Sequence, residues 1–194
     1  MTDYDSATAL IVVDVQNDFS DPEGSLYVAG GEEVVARVNE EIAEAVAAGS
    51  LVVYTQDWHP PTTPHFRSQG GVWPVHCVQE TWGAAFHPAL EVSGEVVRKG
   101  SGAEDGYSGF TTRDATSGEQ HPTELASLLR SRGVEHVVVA GLATDYCVKE
   151  TAVDAARLGW DTTVVTDAIR AVNIEEGDDE RARAEMTSAG VHLE

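Results

Sequence analysis

An α/β fold, with one parallel sheet covered by helices on both faces, is what this chain of 194 residues predicts. Three observations carry that expectation. Short β-branched apolar runs alternate with segments of helical spacing. The first three elements read strand, helix, strand, a crossover that makes a parallel pair. A content of 42% hydrophobic residues, in a chain this long, suffices for one core and a single domain over residues 1–194.

Residues 9–13 (Ala-Leu-Ile-Val-Val) form a buried strand that closes on Asp14. Residues 32–48 have helical spacing, with Val34, Val35, Val38, Ile42, Ala45 and Val46 on one stripe and Gly49 where a C-cap belongs. Residues 50–55 are the second strand. From 56 to 89 the pattern stops: five prolines, four histidines and three of the four tryptophans fall here, and a loop this long in a compact domain is usually functional. Residues 95–98 are a short strand ending at Lys99. Residues 122–132 read as a helix around Leu125, Leu128 and Leu129, closed by Gly133. A strand at 136–140, a helix at 147–158, a strand at 162–166, a helix at 178–188 and a final strand at 191–193 complete the chain.

Composition excludes several classes. Lys+Arg 12 against Asp+Glu 33 leaves a net charge of −21, which repels nucleic acid and anionic lipid. No apolar run is long enough to span a bilayer, and the polar, acidic start lacks the basic region of a secretory signal. Cys77 and Cys147 cannot make a disulfide framework. A reduced, cytoplasmic protein without membrane or nucleic-acid partners is expected.

In open α/β sheets, ligands sit outside the carboxyl ends of the strands. At those ends the predicted strands here carry Asp14, then Asp57 with His59, then Lys99, then 143–147 with Cys147: an acid, a metal-binding pair, a cation and a thiol. Cys147 opens a helix after a strand, where the peptide dipoles favour thiolate. A charge at Lys99 would keep Asp14 ionised, and Asp14 could accept the thiol proton. Taken singly, Asp14 reads equally as a turn aspartate, Lys99 as a solvated lysine and Cys147 as an inert core thiol; their convergence favours a Cys-Lys-Asp triad. Cys77, in the loop, reads as structural. Asp57 and His59 share a face of extended chain, and with His65 and His76 they make a carboxylate-and-imidazole set suited to zinc, iron or manganese. His87 and His121 read as loop residues, His136 and His192 as strand or edge residues. Phe19, Trp73, Tyr107 and Tyr146 could line a flat pocket for an aromatic ring, or be core. Gly100-Ser-Gly102 lacks the context of a phosphate loop.

Six motifs in order resemble the nicotinamidase/pyrazinamidase branch of the isochorismatase-like cysteine hydrolases: Ile11-Val-Val-Asp-Val-Gln-Asn-Asp-Phe19, Gln56-Asp-Trp-His59, Trp73-Pro-Val-His-Cys77, Arg98-Lys-Gly100, Tyr107-Ser-Gly-Phe110 and Gly141-Leu-Ala-Thr-Asp-Tyr-Cys147. The resemblance implies a Rossmann-like sheet of about six parallel strands without a dinucleotide site. It also implies catalytic Asp14, Lys99 and Cys147; one divalent metal ion (zinc, iron or manganese) on Asp57, His59, His65 and His76; and a cis peptide at Leu142–Ala143 that aims the N–H groups of Ala143 and Cys147 at an oxyanion. The implied reaction is hydrolysis of nicotinamide, a small-molecule substrate, to nicotinate and ammonia in NAD salvage, with pyrazinamide also accepted. Another isochorismatase-like amidohydrolase, or a metal- and ring-binding protein without turnover, is the alternative, and homo-oligomerisation stays open.

Overall fold

The computed structural model describes residues 3–115 and 117–194. The chain runs β1 (Thr8–Val13), α1 (Asn17–Ser20), α2 (Gly31–Ala48), β2 (Leu51–Asp57), a 3-10 turn (Arg67–Gln69), β3 (Glu95–Lys99), β4 (Glu104–Asp105), β5 (Thr111–Asp114), β6 (Gln120–Pro122), α3 (Leu125–Ser131), β7 (His136–Leu142), a π turn (Thr144–Val148), α4 (Lys149–Arg157), β8 (Asp161–Arg170), α5 (Asp178–Ser188) and β9 (His192–Leu193).

Six strands form one sheet in the order β3-β2-β1-β7-β8-β9, and every neighbouring pair is parallel. Strand β1 is buried along its whole length, and its pleat divides the core. Leu10 and Val12 join Val34, Val38 and Ile42 of α2 on one face. Ile11 and Val13 join Leu125 and Leu129 of α3, Ala152 of α4 and Met186 of α5 on the other. Period-2 side chains meeting period-3.6 stripes thus cover both faces, as the alternating pattern requires. Truncating a buried residue such as Ile42 to alanine would cost about 2–5 kcal/mol. Helix α2 ends on Gly49 at φ 77°, whose N–H reaches the carbonyls of Ala45 and Val46.

The chain winds outward from β1 in opposite directions, so the strand order reverses between β1 and β7. A crevice forms at the carboxyl ends on such a reversal.

Several expectations are corrected. Val46 is off the buried stripe and 54% exposed, while Glu41 of the same helix is buried. The predicted helix over 122–132 starts only at Leu125: Pro122 pairs with Thr111 in a second, three-stranded antiparallel sheet, β4-β5-β6, and the Thr123 hydroxyl accepts the Leu125 N–H. His121 consequently lies in β6 rather than in a loop. Strand β8 runs four residues past its expected end, and the expected helix start at Cys147 is replaced by the π turn. No helix among the described residues is long and apolar enough to cross a membrane.

Candidate active site

Each strand that reaches the crevice ends on a reactive side chain. Asp14 lies just past β1 with φ 47°, a left-handed conformation that non-glycine residues adopt mainly where the surroundings over-determine it. Asp57 and Lys99 close β2 and β3 as register partners, which sets carboxylate beside ammonium. Cys147 stands in the π turn after β7. That turn can approach β1 because position 141 is glycine: at its φ of 118°, a Cβ would lie 2.1 Å from the Val13 carbonyl oxygen.

The Lys99 ammonium is the hub. Its Nζ lies 2.9 Å from Asp14 Oδ2, contacts Asp57 Oδ1, and is 3.5 Å from Cys147 Sγ and 3.4 Å from the Gly106 carbonyl. The Asp14 approach is an ion pair without hydrogen-bond alignment, so Oδ2 has no hydrogen-bond donor among the described residues, whereas Oδ1 accepts the Thr55 hydroxyl at 2.6 Å. Asp14, Asp57 and Cys147 each present an atom within 4.8 Å of the others. All these side chains are buried.

Burial decides their protonation. It lifts the Asp14 carboxyl above its ordinary value, against the pull of Lys99. It works equally on Asp57, but there Lys99 and His59 prevail and hold the group below the usual carboxylate range. Burial alone would lower Lys99; the two carboxylates hold it well above its ordinary value. Burial also raises the Cys147 thiol well above its usual value, with Lys99 opposing and the carboxylates assisting. The expectation that the helix start would favour thiolate is therefore corrected. Burial beside two acids favours the thiol over the thiolate at Cys147.

Beside this group, the long loop folds back on itself. His59 donates its N–H to the Cys77 carbonyl and its carbonyl accepts the Gln79 N–H, drawing His76 alongside. A bridge between Phe66 and Trp73 brings in His65. The rings of His59, His65 and His76 lie 4.8–5.3 Å apart, all buried. Each spends Nδ1 on an oxygen: His59 on the Gly100 carbonyl at 3.2 Å, His65 on Asp105 Oδ2 at 3.1 Å, His76 on the Pro74 carbonyl at 2.8 Å. Those acceptors require Nδ1–H and leave each Nε2 lone pair free. The His59 Nε2 is buried without a hydrogen-bond partner. Three buried imidazoles, each with Nδ1 already on an oxygen and with ligand atoms within 4.8 Å of one another, fit a divalent metal ion. Burial pushes the His76 imidazole down to about 4, against the raising effect of Asp57, so it is neutral, as a ligand must be. Asp57 bridges the two clusters: Oδ1 meets Lys99, and Oδ2 lies 3.7 Å from His59 Nε2.

Phe19, Trp73, Tyr107 and Tyr146 all line a cleft of about 450 Å³, counted with its open mouth, that reaches Cys147, Ala143, Asp57, His65 and His76. Trp73 packs edge-on against Tyr146 at 4.9 Å and donates its indole N–H to the Tyr107 hydroxyl at 3.0 Å. Phe19 packs on the His76 ring at 5.6 Å. The peptide at Leu142–Ala143 is cis. Cys77 is buried away from this cleft, its N–H held by Asp18 Oδ2 at 2.7 Å, and His136 and His192 are exposed, flanking Asp161. His87 sits in the loop, its Nδ1 accepting the Ala89 N–H.

Sequence reasoning missed four supports: Thr55 under Asp14; Gln16, whose amide clamps the backbone N–H and carbonyl of Asp57; Gly100, against whose Cα the His59 ring packs; and Asp105. Strand alternation signals Thr55, which is level with Val13 across the sheet. Gln16 lies inside a recognised motif. Asp105 carries no local signal.

A parallel sheet with a buried acid, ammonium and thiol at its switch point, beside a three-imidazole cluster, defines an amidohydrolase. The Isochorismatase domain matches residues 8–193, and the chain belongs to that family. It is 42% identical to the Mycobacterium tuberculosis nicotinamidase/pyrazinamidase over 95% of this chain and 97% of that protein. Its structure is similar to that of Pyrococcus horikoshii pyrazinamidase in complex with zinc (TM-score 0.86, 40% identity, 97% of this chain and 98% of that one). It is likewise similar to PnC1 from L. infantum in complex with nicotinate (TM-score 0.88, 38% identity, 100% and 95%).

Proposed function

We propose that this chain hydrolyses nicotinamide to nicotinate and ammonia through a thioester on Cys147, a reaction of NAD salvage, and that it accepts the ring isostere pyrazinamide. One observation carries the reading: the thiol group and the imidazole cluster open onto one aromatic-lined cleft. That is what a flat heteroaromatic amide needs at its two ends.

Asp14 accepts the Cys147 proton as sulfur attacks the carboxamide carbon. Its raised basicity, and an Oδ2 that accepts no hydrogen bond among the described residues, suit it to that transfer, and the Lys99 ammonium ion-paired with it stabilises the anion on either partner. The carboxamide oxygen becomes an oxyanion on the backbone N–H groups of Ala143 and Cys147, donors of a kind worth about 3–4 kcal/mol each in acyl transfer. Asp14 returns the proton to nitrogen, the C–N bond breaks and ammonia leaves. Water, deprotonated by Asp14, then cleaves the thioester, and the thiol is restored. Phe19, Trp73, Tyr107 and Tyr146 flank the ring and exclude water from it. Zinc, iron or manganese would be held by His59, His65 and His76 with Asp57. When bound, the ion supplies a Lewis-acid position for the pyridine nitrogen.

Ammonia release from nicotinamide and pyrazinamide tests the reading. The wild-type protein should turn over both. Cys147→Ala should fall to background with its circular dichroism unchanged, and chelation should lower activity that added Zn²⁺ or Mn²⁺ restores. Turnover by Cys147→Ala would eliminate the thioester.

A further inference from the structure

Of the three imidazoles, His59 and His76 rest on neutral backbone carbonyls, whereas His65 donates Nδ1–H to a carboxylate, Asp105 Oδ2, at 3.1 Å. Asp105 comes from a different part of the chain, the two-residue strand β4, where Arg113 of β5 is its cross-strand register partner. Arg113 Nη2 lies 3.9 Å from the other carboxylate oxygen, Oδ1. The carboxylate is therefore shared, one oxygen turned to a surface guanidinium and one to an imidazole in the cleft. Two residues on, Tyr107 lines that cleft and accepts the Trp73 indole N–H. Strand β4 thus touches the imidazole cluster, and the segment that leaves it forms part of the ring-binding wall.

We infer that Asp105 is a positioning residue for the metal site, fixing the tautomer and orientation of His65 and strengthening its Nε2 as a donor through an anionic acceptor. The inference rests on the reading of His59, His65 and His76 as metal ligands. A carboxylate on the remote ring nitrogen increases ligand basicity more than a carbonyl does, and losing such a partner typically weakens metal binding by about 10–100-fold. If Asp105 merely fastened the loop to the small sheet, removing it would lower stability without altering the bound ion's ligand field.

The test uses Zn²⁺ competition against a chromophoric chelator, and the visible absorption of the Co²⁺-loaded protein, on wild type, Asp105→Ala, Asp105→Asn and His76→Ala. Asp105→Ala should bind Zn²⁺ about 10–100-fold more weakly and show an altered Co²⁺ spectrum. Asp105→Asn, isosteric and still able to accept a hydrogen bond but uncharged, should fall between it and wild type, and it decides the matter if the alanine variant does not fold. Zn²⁺ affinity within about twofold of wild type, against that 10–100-fold expectation, and an unchanged Co²⁺ spectrum in the Asp105 variants, while His76→Ala loses the ion, would overturn the role given to Asp105. Wild-type affinity in His76→Ala would instead overturn the metal site on which that role stands.

Discussion

Thr55 supports the carboxylate that the proposed mechanism uses as its base. It satisfies Asp14 Oδ1 at 2.6 Å, while Oδ2, ion-paired with Lys99, has no hydrogen-bond donor among the described residues. Its hydrogen bond also favours the ionised carboxylate, against the burial that raises Asp14. Thr55→Val keeps the shape and removes the donor. Stability should fall by about 1–3 kcal/mol, the cost of an unsatisfied buried acceptor. Activity should drop about tenfold, the worth of one hydrogen bond of ~1.4 kcal/mol in the transition state. Because the carboxyl then holds its proton more tightly, the acid limb of kcat/KM should move to higher pH. A pH–rate profile superimposable on wild type would refute this role. At this scale the convergence of Asp14, Lys99 and Cys147, the groups proposed to react, was legible in the sequence, since each terminates a recognisable strand or turn. Their supports were not, because Thr55 and Asp105 act through contacts between residues about 40 positions apart, and nothing local records such a distance.

Among the elements, the parallel strands and long helices were readable because burial imposes a period on their residues. The β4-β5-β6 sheet was not: its strands are two to four residues long and none of its positions is fully buried, so no alternation marks it. The same reasoning explains Val46, which fits the helical stripe by spacing yet faces solvent, while Glu41 is buried because it has partners. Tyr4 donates to Glu41 Oε2 at 2.6 Å, and Arg37 contacts the other oxygen, so the segment before β1 is pinned to α2. Burial first, and the Glu41 carboxylate second, raise the Tyr4 phenol above its ordinary 10.0. Proton counting gives the sign. Below about pH 10 both folded and unfolded chains hold the phenolic proton; above it the unfolded chain releases the proton first, so stability declines with rising pH. Tyr4→Phe should cost about 1.5 kcal/mol at pH 8 and lose less than wild type between about pH 8 and pH 11. Urea unfolding at the two pH values measures both quantities, and equal losses in the two proteins would show that Tyr4 contributes nothing to the alkaline limb.

For the molecule as a whole, the balance of −21 has a direct mechanical consequence. Cations are few and largely engaged: Arg37 with Glu40, Glu41 and Asp167, Arg170 with Glu33, Lys149 with Glu150 and Glu185, and Lys99 in the site. Acidic side chains outnumber the Lys and Arg side chains 33 to 12, and compaction brings them closer, so self-repulsion opposes folding. The screening length falls from about 30 Å at 0.01 M salt to about 3 Å at 1 M, short enough to uncouple neighbouring surface carboxylates. The buried Asp14–Lys99–Asp57 group is shielded from that screening by its depth. The melting temperature should accordingly rise as NaCl increases from about 0.01 to 1 M. Over the same range kcat/KM for nicotinamide should change far less, because a neutral amide is not steered by a charged surface and the reacting charges lie below it. Melting curves and ammonia release across one salt series separate the two effects. A melting temperature that falls with salt would mean that surface ion pairs, rather than repulsion among acids, dominate the electrostatics of this fold.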